Sequence, residues 1–226
     1  MAKNTVTQVK NLIPVKRVLI SLSDKTGLED FVRGLIKISP EVVFYSSTGT
    51  FLAIEKILGT DSDLHLVEVG EFTGYREMPG GLVKTLHPAV HAGILGERLN
   101  SDHQAYIDGI DSFYFDMVVC NLYPFQDTIS SSDYTYEKAR GNIDIGGPTM
   151  IRGAAKNWHG CGAVCNPSDY SDIIQSISRN NGSTTLEMRF ALMQSAFGHT
   201  AKYEAAIAGH MVSQKFEDVI GEYELV

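Results

Sequence analysis

The run Asp144-Ile145-Gly146-Gly147-Pro148 is the sharpest chemical signal in the sequence. An aspartate just before two glycines sets a carboxylate beside backbone N–H groups that no side chain shields. A general base and an oxyanion hole can then share one turn. Twelve residues on lies Lys156, in Gly153-Ala154-Ala155-Lys156-Asn157, where small residues suggest a helix packed closely enough to aim the amine into a site. The plainer alternative is a helix-capping aspartate and a surface lysine.

Two other stretches suit an anion. Ser21, Ser23 and Lys25 alternate at the end of an apolar run, so a strand reaching that far would turn all three to one face. Ser47-Thr48-Gly49-Thr50 repeats the arrangement one unit later, with Gly49 allowing close backbone approach and hydroxyls to donate. For both, simple helix capping is the bland alternative. Lys84, in Lys84-Thr85-Leu86-His87-Pro88 after Pro79-Gly80-Gly81, can reach an anion or a developing oxyanion, or stay a solvated loop lysine. His87 and His91 stand four apart, a zinc-compatible spacing without an evident third ligand. Cys161 and Cys165 alternate as on a strand and, with His159, read as core rather than as a metal knuckle.

These residues need elements to hold them. Arg17 to Ser23, Glu41 to Ser46, Leu64 to Val69, Asp116 to Cys120 and Gly160 to Cys165 read as strands. Helical patterns run from Leu28 to Ile38, after Thr50 through Leu58, from about Ser168, and from Leu186 to Phe216. Gly70 to Gly96 is too irregular to assign. Strands alternating with helices predict an α/β fold, a mostly parallel sheet with helices on both faces. In such sheets ligands sit beyond the carboxyl ends of the strands. The clusters at Ser21/Ser23/Lys25, Ser47/Thr50 and Asn121/Tyr123 all follow strands and should therefore meet at one edge.

The chain has 226 residues, 43 % hydrophobic and 20 % charged, enough for one domain with its own core. Its net charge of −8 argues against a nucleic-acid-binding protein, which needs a basic face, but not against one small phosphorylated ligand. Three cysteines, an odd and sparse set, fit reduced thiols in the cytoplasm. Neither a signal peptide nor a membrane span is evident.

The motifs together resemble one family, the IMP cyclohydrolase domain at the amino-terminal end of bifunctional purine biosynthesis proteins. The match rests on Ser21-Leu22-Ser23-Asp24-Lys25-Thr26-Gly27, on Val83 through Leu95, on Cys120-Asn121-Leu122-Tyr123-Pro124-Phe125, on Ile143 through Pro148, on Arg152 with Ala154-Ala155-Lys156-Asn157, and on Ala196-Phe197-Gly198-His199-Thr200-Ala201. It runs from about Arg17 to Tyr203.

The resemblance implies a methylglyoxal-synthase-like fold. It implies closure of 5-formamidoimidazole-4-carboxamide ribonucleotide (FAICAR) to inosine monophosphate with loss of water. Asp144 and Lys156 would handle the attacking carboxamide nitrogen. Lys84 and Tyr123 would polarise or protonate the formyl oxygen, and the N–H groups near Ile145 and Gly146 would complete an oxyanion site. Asn121 would orient the substrate, while Ser21, Ser23, Lys25, Ser47, Gly49, Thr50 and Thr85 would hold phosphate and ribose. No metal or organic cofactor is implied.

Two positions depart from the family pattern. Leu82 replaces an arginine two residues before the motif lysine, and Thr48 replaces the first of two glycines. A β-branched threonine would be costly there if the position needs positive φ. The family's folate-dependent formyltransferase domain has no counterpart here, so a stand-alone enzyme or an excised domain is expected. A separate or fused formyltransferase would be a partner, and a homodimer is expected. Residues 1–16 read as an extension, 17–208 as the cyclohydrolase domain, and 209–226 as a tail or linker remnant. The competing functions are a non-catalytic nucleotide-binding module of the same fold and a methylglyoxal synthase.

Overall fold

The computed structural model describes residues 5–79 and 83–226. Leu82, and the Gly80-Gly81 pair before it, lie outside the described residues. The described chain opens with β1 (Leu12–Pro14), β2 (Arg17–Leu22), α1 (Leu28–Ile38), β3 (Val43–Ser46), α2 (Thr48–Leu58), α3 (Ser62–His65), β4 (Leu66–Glu68) and α4 (Val69–Thr73). Then come α5 (Pro88–Leu95), α6 (Ser101–Gly109), β5 (Met117–Asn121), α7 (Phe125–Ile129), α8 (Tyr136–Gly141) and α9 (Gly146–Lys156). The last elements are β6 (Gly162–Val164), α10 (Tyr170–Arg179), β7 (Ser183–Thr185), α11 (Leu186–Ser213) and α12 (Phe216–Ile220).

Five strands form one parallel sheet in the order β4-β3-β2-β5-β6. The chain steps outward from β2 through β3 to β4, then returns to place β5 on the other side of β2. Right-handed crossovers travelling in opposite directions put their helices on opposite faces. The strands' alternation sorts side chains to match. Val18, Ile20, Met117 and Val119 join Phe31 and Leu35 of α1, Ile54 of α2 and Ile177 of α10. Leu19, Val118, Cys120 and Ala163 join Val90 and Ile94 of α5, Ile151 and Ala154 of α9 and Ala196 of α11. The α/β arrangement with both faces covered agrees with the sequence pattern.

A two-stranded antiparallel pair, β1 with β7, lies outside this sheet. Beside it Arg189 of α11 is fully buried. Its guanidinium donates to the carbonyls of Lys10 (2.7 Å), Asn11 (3.3 Å), Trp158 (3.1 Å) and Thr184 (2.9 Å). Burial pulls its pKa down to about 10. With Ile13 in the core and α11 continuing to Ser213, the boundaries drawn from sequence at 16/17 and 208/209 abut or cut continuous structure. Among the described residues no helix is long and apolar enough to cross a membrane.

Candidate active site

The order of strand connections reverses between β2 and β5, and the crevice beyond such a switch point is where α/β folds place ligands. A pocket of about 570 Å³ opens there. Ser21, Ser47, Gly49, Lys84, Thr85, Tyr123, Asp144, Ile145 and Gly146 line it, nine of the fourteen residues expected from sequence. A separate cavity of about 310 Å³, bounded by residues 5–10, Arg98 and His159, holds none of them.

Two helices aim their amino-terminal ends into the pocket. At α2, Ser47 is the N-cap residue, yet its hydroxyl makes no cap bond. It meets the Ser21 hydroxyl at 2.7 Å instead. The N–H groups of Thr50 and Phe51 turn back to Ser47 O, which leaves those of Thr48 and Gly49 as the free donors of a helix start. A Cβ at Gly49 would meet nothing within 4 Å, so the space in front of this turn is open. Two hydroxyls, two N–H groups and the positive end of a helix dipole form an anion cradle.

At α9 the chain supplies its own anion. Asp144 Oδ1 accepts from Gly147 N–H at 2.8 Å. Burial nevertheless raises the Asp144 pKa, with the Gly147 and Gly146 N–H groups opposing the rise. Tyr203 of α11 steadies the turn. Its hydroxyl accepts from Asp144 N–H at 2.7 Å and donates to Asn142 O at 3.4 Å. Near the oxyanion hole expected at Ile145 and Gly146, Asp144 takes the Gly147 N–H and draws on that of Gly146.

Lys84 and Thr85, neighbours in sequence, address the two helix ends separately. Thr85 Oγ1 would lie 2.5 Å from a Cβ on Gly146, so it abuts the start of α9. Lys84 is 6 % exposed. Its ammonium donates to Thr48 Oγ1 and to Glu68 Oε1 (3.2 Å), with Glu77 Oε2 at 3.6 Å. The solvated-loop alternative for Lys84 therefore fails. Tyr123 follows β5 and is 53 % exposed at the pocket wall.

Five expected residues do not line the pocket. Lys156 is exposed at the far end of α9, about 15 Å along the axis from its start at 1.5 Å per residue. Thr50 is buried with its hydroxyl between the N–H and C=O of Leu22, where it ties α2 to the end of β2. Asn121 clasps the next turn, accepting from the N–H groups of Ser23 and Asp24 and donating to Asp24 O. β2 ends at Leu22, so Ser23 leaves the strand's alternation. Lys25 Nζ folds back to Leu22 O at 3.1 Å.

Thr48 also differs from expectation. Outside glycine, only Asp111 and Asn181 among the described residues have positive φ. Thr48 is an ordinary helical residue and pays no steric penalty, while its hydroxyl contacts Lys84. Sequence reasoning missed it as a site residue, along with Glu68 and Glu77. Glu68 was findable, since it ends a strand that the sequence already placed at the same sheet edge.

The zinc-like pairs dissolve into structure. His87 caps α5, accepting from Ala89 N–H through Nδ1 at 3.2 Å. Cys120, Cys161 and Cys165 are buried free thiols. Burial pushes Cys161 up to about 12 and Cys165 up to about 11, which leaves them unreactive near neutrality. Among the described residues no group of three or more His, Cys, Asp or Glu could hold a metal ion.

The fold agrees with comparison to known proteins. Residues 27–149 match the model of the MGS-like domain, and the chain belongs to that family. Residues 154–225 match a second model, the AICARFT/IMPCHase bienzyme. The chain is 41 % identical over 211 residues to the bifunctional purine biosynthesis protein PurH of a Neisseria meningitidis serogroup C strain. It is 40 % identical to that of a Neisseria gonorrhoeae strain. Each alignment covers 93 % of this chain but 39 % of the relative, so the chain spans about two fifths of the length of these curated relatives. A crystal structure of ForH superposes with a TM-score of 0.70 at 26 % identity, covering 86 % of this chain and 97 % of that one.

Proposed function

We propose that this pocket closes the second ring of a purine nucleotide, converting FAICAR to inosine monophosphate with loss of water. The observation that carries the proposal is the meeting, in one pocket, of an open helix terminus fit for a phosphate and a half-buried carboxylate at a second helix terminus. The relatives' part in purine biosynthesis and the match to the bienzyme model support it.

The reaction needs a weakly nucleophilic carboxamide nitrogen to attack a formyl carbon. Asp144 takes one proton from that nitrogen, the C–N bond forms, and the formyl oxygen becomes a hydroxyl. Loss of the proton on the formamido nitrogen together with the hydroxyl then releases water, forms the ring C=N bond and leaves the second proton on the attacking nitrogen. Burial suits Asp144 to the task, because a carboxylate with a raised pKa is a stronger base. Tyr123 and Lys84 are the donors placed to serve the departing oxygen. Ser21, Ser47 and the α2 N–H groups hold the 5′-phosphate. A homodimer and a formyltransferase partner belong to the same proposal.

The test is ultraviolet absorbance during incubation of the purified 226-residue chain with FAICAR and no folate. Enzyme-dependent formation of inosine monophosphate supports the proposal. Tight binding of a purine monophosphate without conversion would instead mark a nucleotide-binding module. Turnover of a triose phosphate would mark a methylglyoxal synthase.

A further inference from the structure

Lys84 is the only lysine among the described residues that line the pocket, and its burial makes its aim a property of its neighbours. Three hydrogen bonds close a triangle around it. The ammonium donates to Thr48 Oγ1, the Thr48 hydroxyl donates to Glu68 Oε1 at 2.9 Å, and the ammonium donates to the same Oε1 at 3.2 Å. The corners come from the first turn of α2, the end of β4 and the loop before α5. An ammonium on a four-carbon stem has many rotamers, and a lone carboxylate would fix its charge without fixing its direction. The threonine hydroxyl adds direction, since its one proton goes to the glutamate and a lone pair is left facing the lysine.

We propose that Thr48 and Glu68 are positioning residues for Lys84, a hydroxyl–carboxylate pair that holds the ammonium beside the open end of α2 before substrate arrives. The function of the pair rests on the cyclohydrolase reading, but its existence does not. Among the described residues, the Thr48 hydroxyl bonds to Lys84 and Glu68, and Glu68 does not itself line the pocket. The Thr48 hydrogen bond is also the largest influence holding the Glu68 carboxyl below its ordinary pKa, so the carboxylate stays charged where the triangle needs it.

Two readouts on the full chain test the pair. One is the rate at which Lys84 is reductively methylated by formaldehyde and a borane, read by peptide mass spectrometry without ligand. The other is kcat and KM with FAICAR. Thr48→Val keeps the shape and removes the hydroxyl, Thr48→Ser keeps the hydroxyl, and Glu68→Gln removes the charge. Thr48→Val and Glu68→Gln should each methylate Lys84 severalfold faster and lower kcat/KM about tenfold, as loss of one hydrogen bond to a charged group implies. Thr48→Ser should match the parent within about twofold on both readouts, since it retains that bond. Parent-like methylation in Thr48→Val and Glu68→Gln would overturn the pair. So would failure of Thr48→Ser to restore either readout. If the parent converts no FAICAR but the methylation pattern holds, the cyclohydrolase reading falls and the positioning pair stands.

Discussion

The amino-terminal ends of α2 and α9 face the same pocket, and each helix is eleven residues long. Their dipoles are equivalent, yet their termini are finished in opposite ways. At α2 the capping serine turns its hydroxyl away and the first N–H groups stay open. At α9 a carboxylate one residue before the cap folds onto the Gly147 N–H. The contrast teaches that a helix terminus becomes a binding site only where the chain withholds its own anion. Where the chain supplies one, the terminus stabilises a charge for chemistry instead.

Substitutions at the two ends should separate binding from turnover. The largest effect is expected at α9. Asp144→Asn should lower kcat about 10³-fold, the usual scale for losing a general base, with nucleotide affinity nearly unchanged. Full turnover in that variant would remove Asp144 from the chemistry. Its pH dependence sharpens the point. Activity that needs ionised Asp144 should fall on the acid side through a value above the ordinary aspartate value of 3.8. The stability effect has the opposite sense. A carboxyl with a raised folded pKa favours folding most when protonated, and that contribution is lost as pH rises from the unfolded value through the raised one. Asp144→Asn should therefore melt no lower than the parent at neutral pH, as calorimetry would show.

Next in size is Gly147→Ala. Its Cβ would stand 2.5 Å from Asp144 Oδ2 and 2.6 Å from Leu122 Cδ2, so the carboxylate must shift. A displacement of that order costs about 10²-fold in turnover. At α2 the matching change, Gly49→Ala, meets no atom within 4 Å and should fold like the parent. It should weaken binding of a purine monophosphate about tenfold by placing a methyl group in the cradle, with little loss of kcat at saturation. Ser47→Ala removes one hydroxyl and should weaken the same binding about fivefold. Equal losses of kcat at both ends would break the contrast. Tyr203→Phe is the mildest, costing about 1 kcal/mol of stability by removing one bridge to the Asp144 turn.

Much of this was legible in the sequence, and the exceptions have physical causes. Near-continuous apolar runs in Arg17–Leu22 and Met117–Asn121 show the central strands because each strand splits its side chains between two cores. α5 was hidden in the glycine- and proline-rich stretch because it has no polar face to set a period. Gly93 on it lies so close to its neighbours that a Cβ would come 2.3 Å from Phe113 O. β1 and β7 were hidden because three-residue strands carry little pattern and their pairing joins distant parts of the chain. At the site, Asp144, Lys84 and the Ser47 turn line one pocket, as their positions after strands or before helices implied. Thr50 and Asn121 do not line it, since a hydroxyl in a first helical turn or an amide at a strand end can serve the backbone as readily as a ligand. Lys156 stands away from the pocket, since twelve residues is a short sequence interval but a long distance on a helix.

The Arg189 clamp sets an order of events during synthesis. Its guanidinium holds the carbonyls of Lys10 and Asn11 from 179 and 178 residues away, and β1 pairs with a strand just before it. Residues 10–14 therefore lack this strand partner and this clamp until the ribosome has released β7 and the start of α11. The central strands β2, β3 and β4 can assemble long before, so the first strand in the chain is among the last to dock.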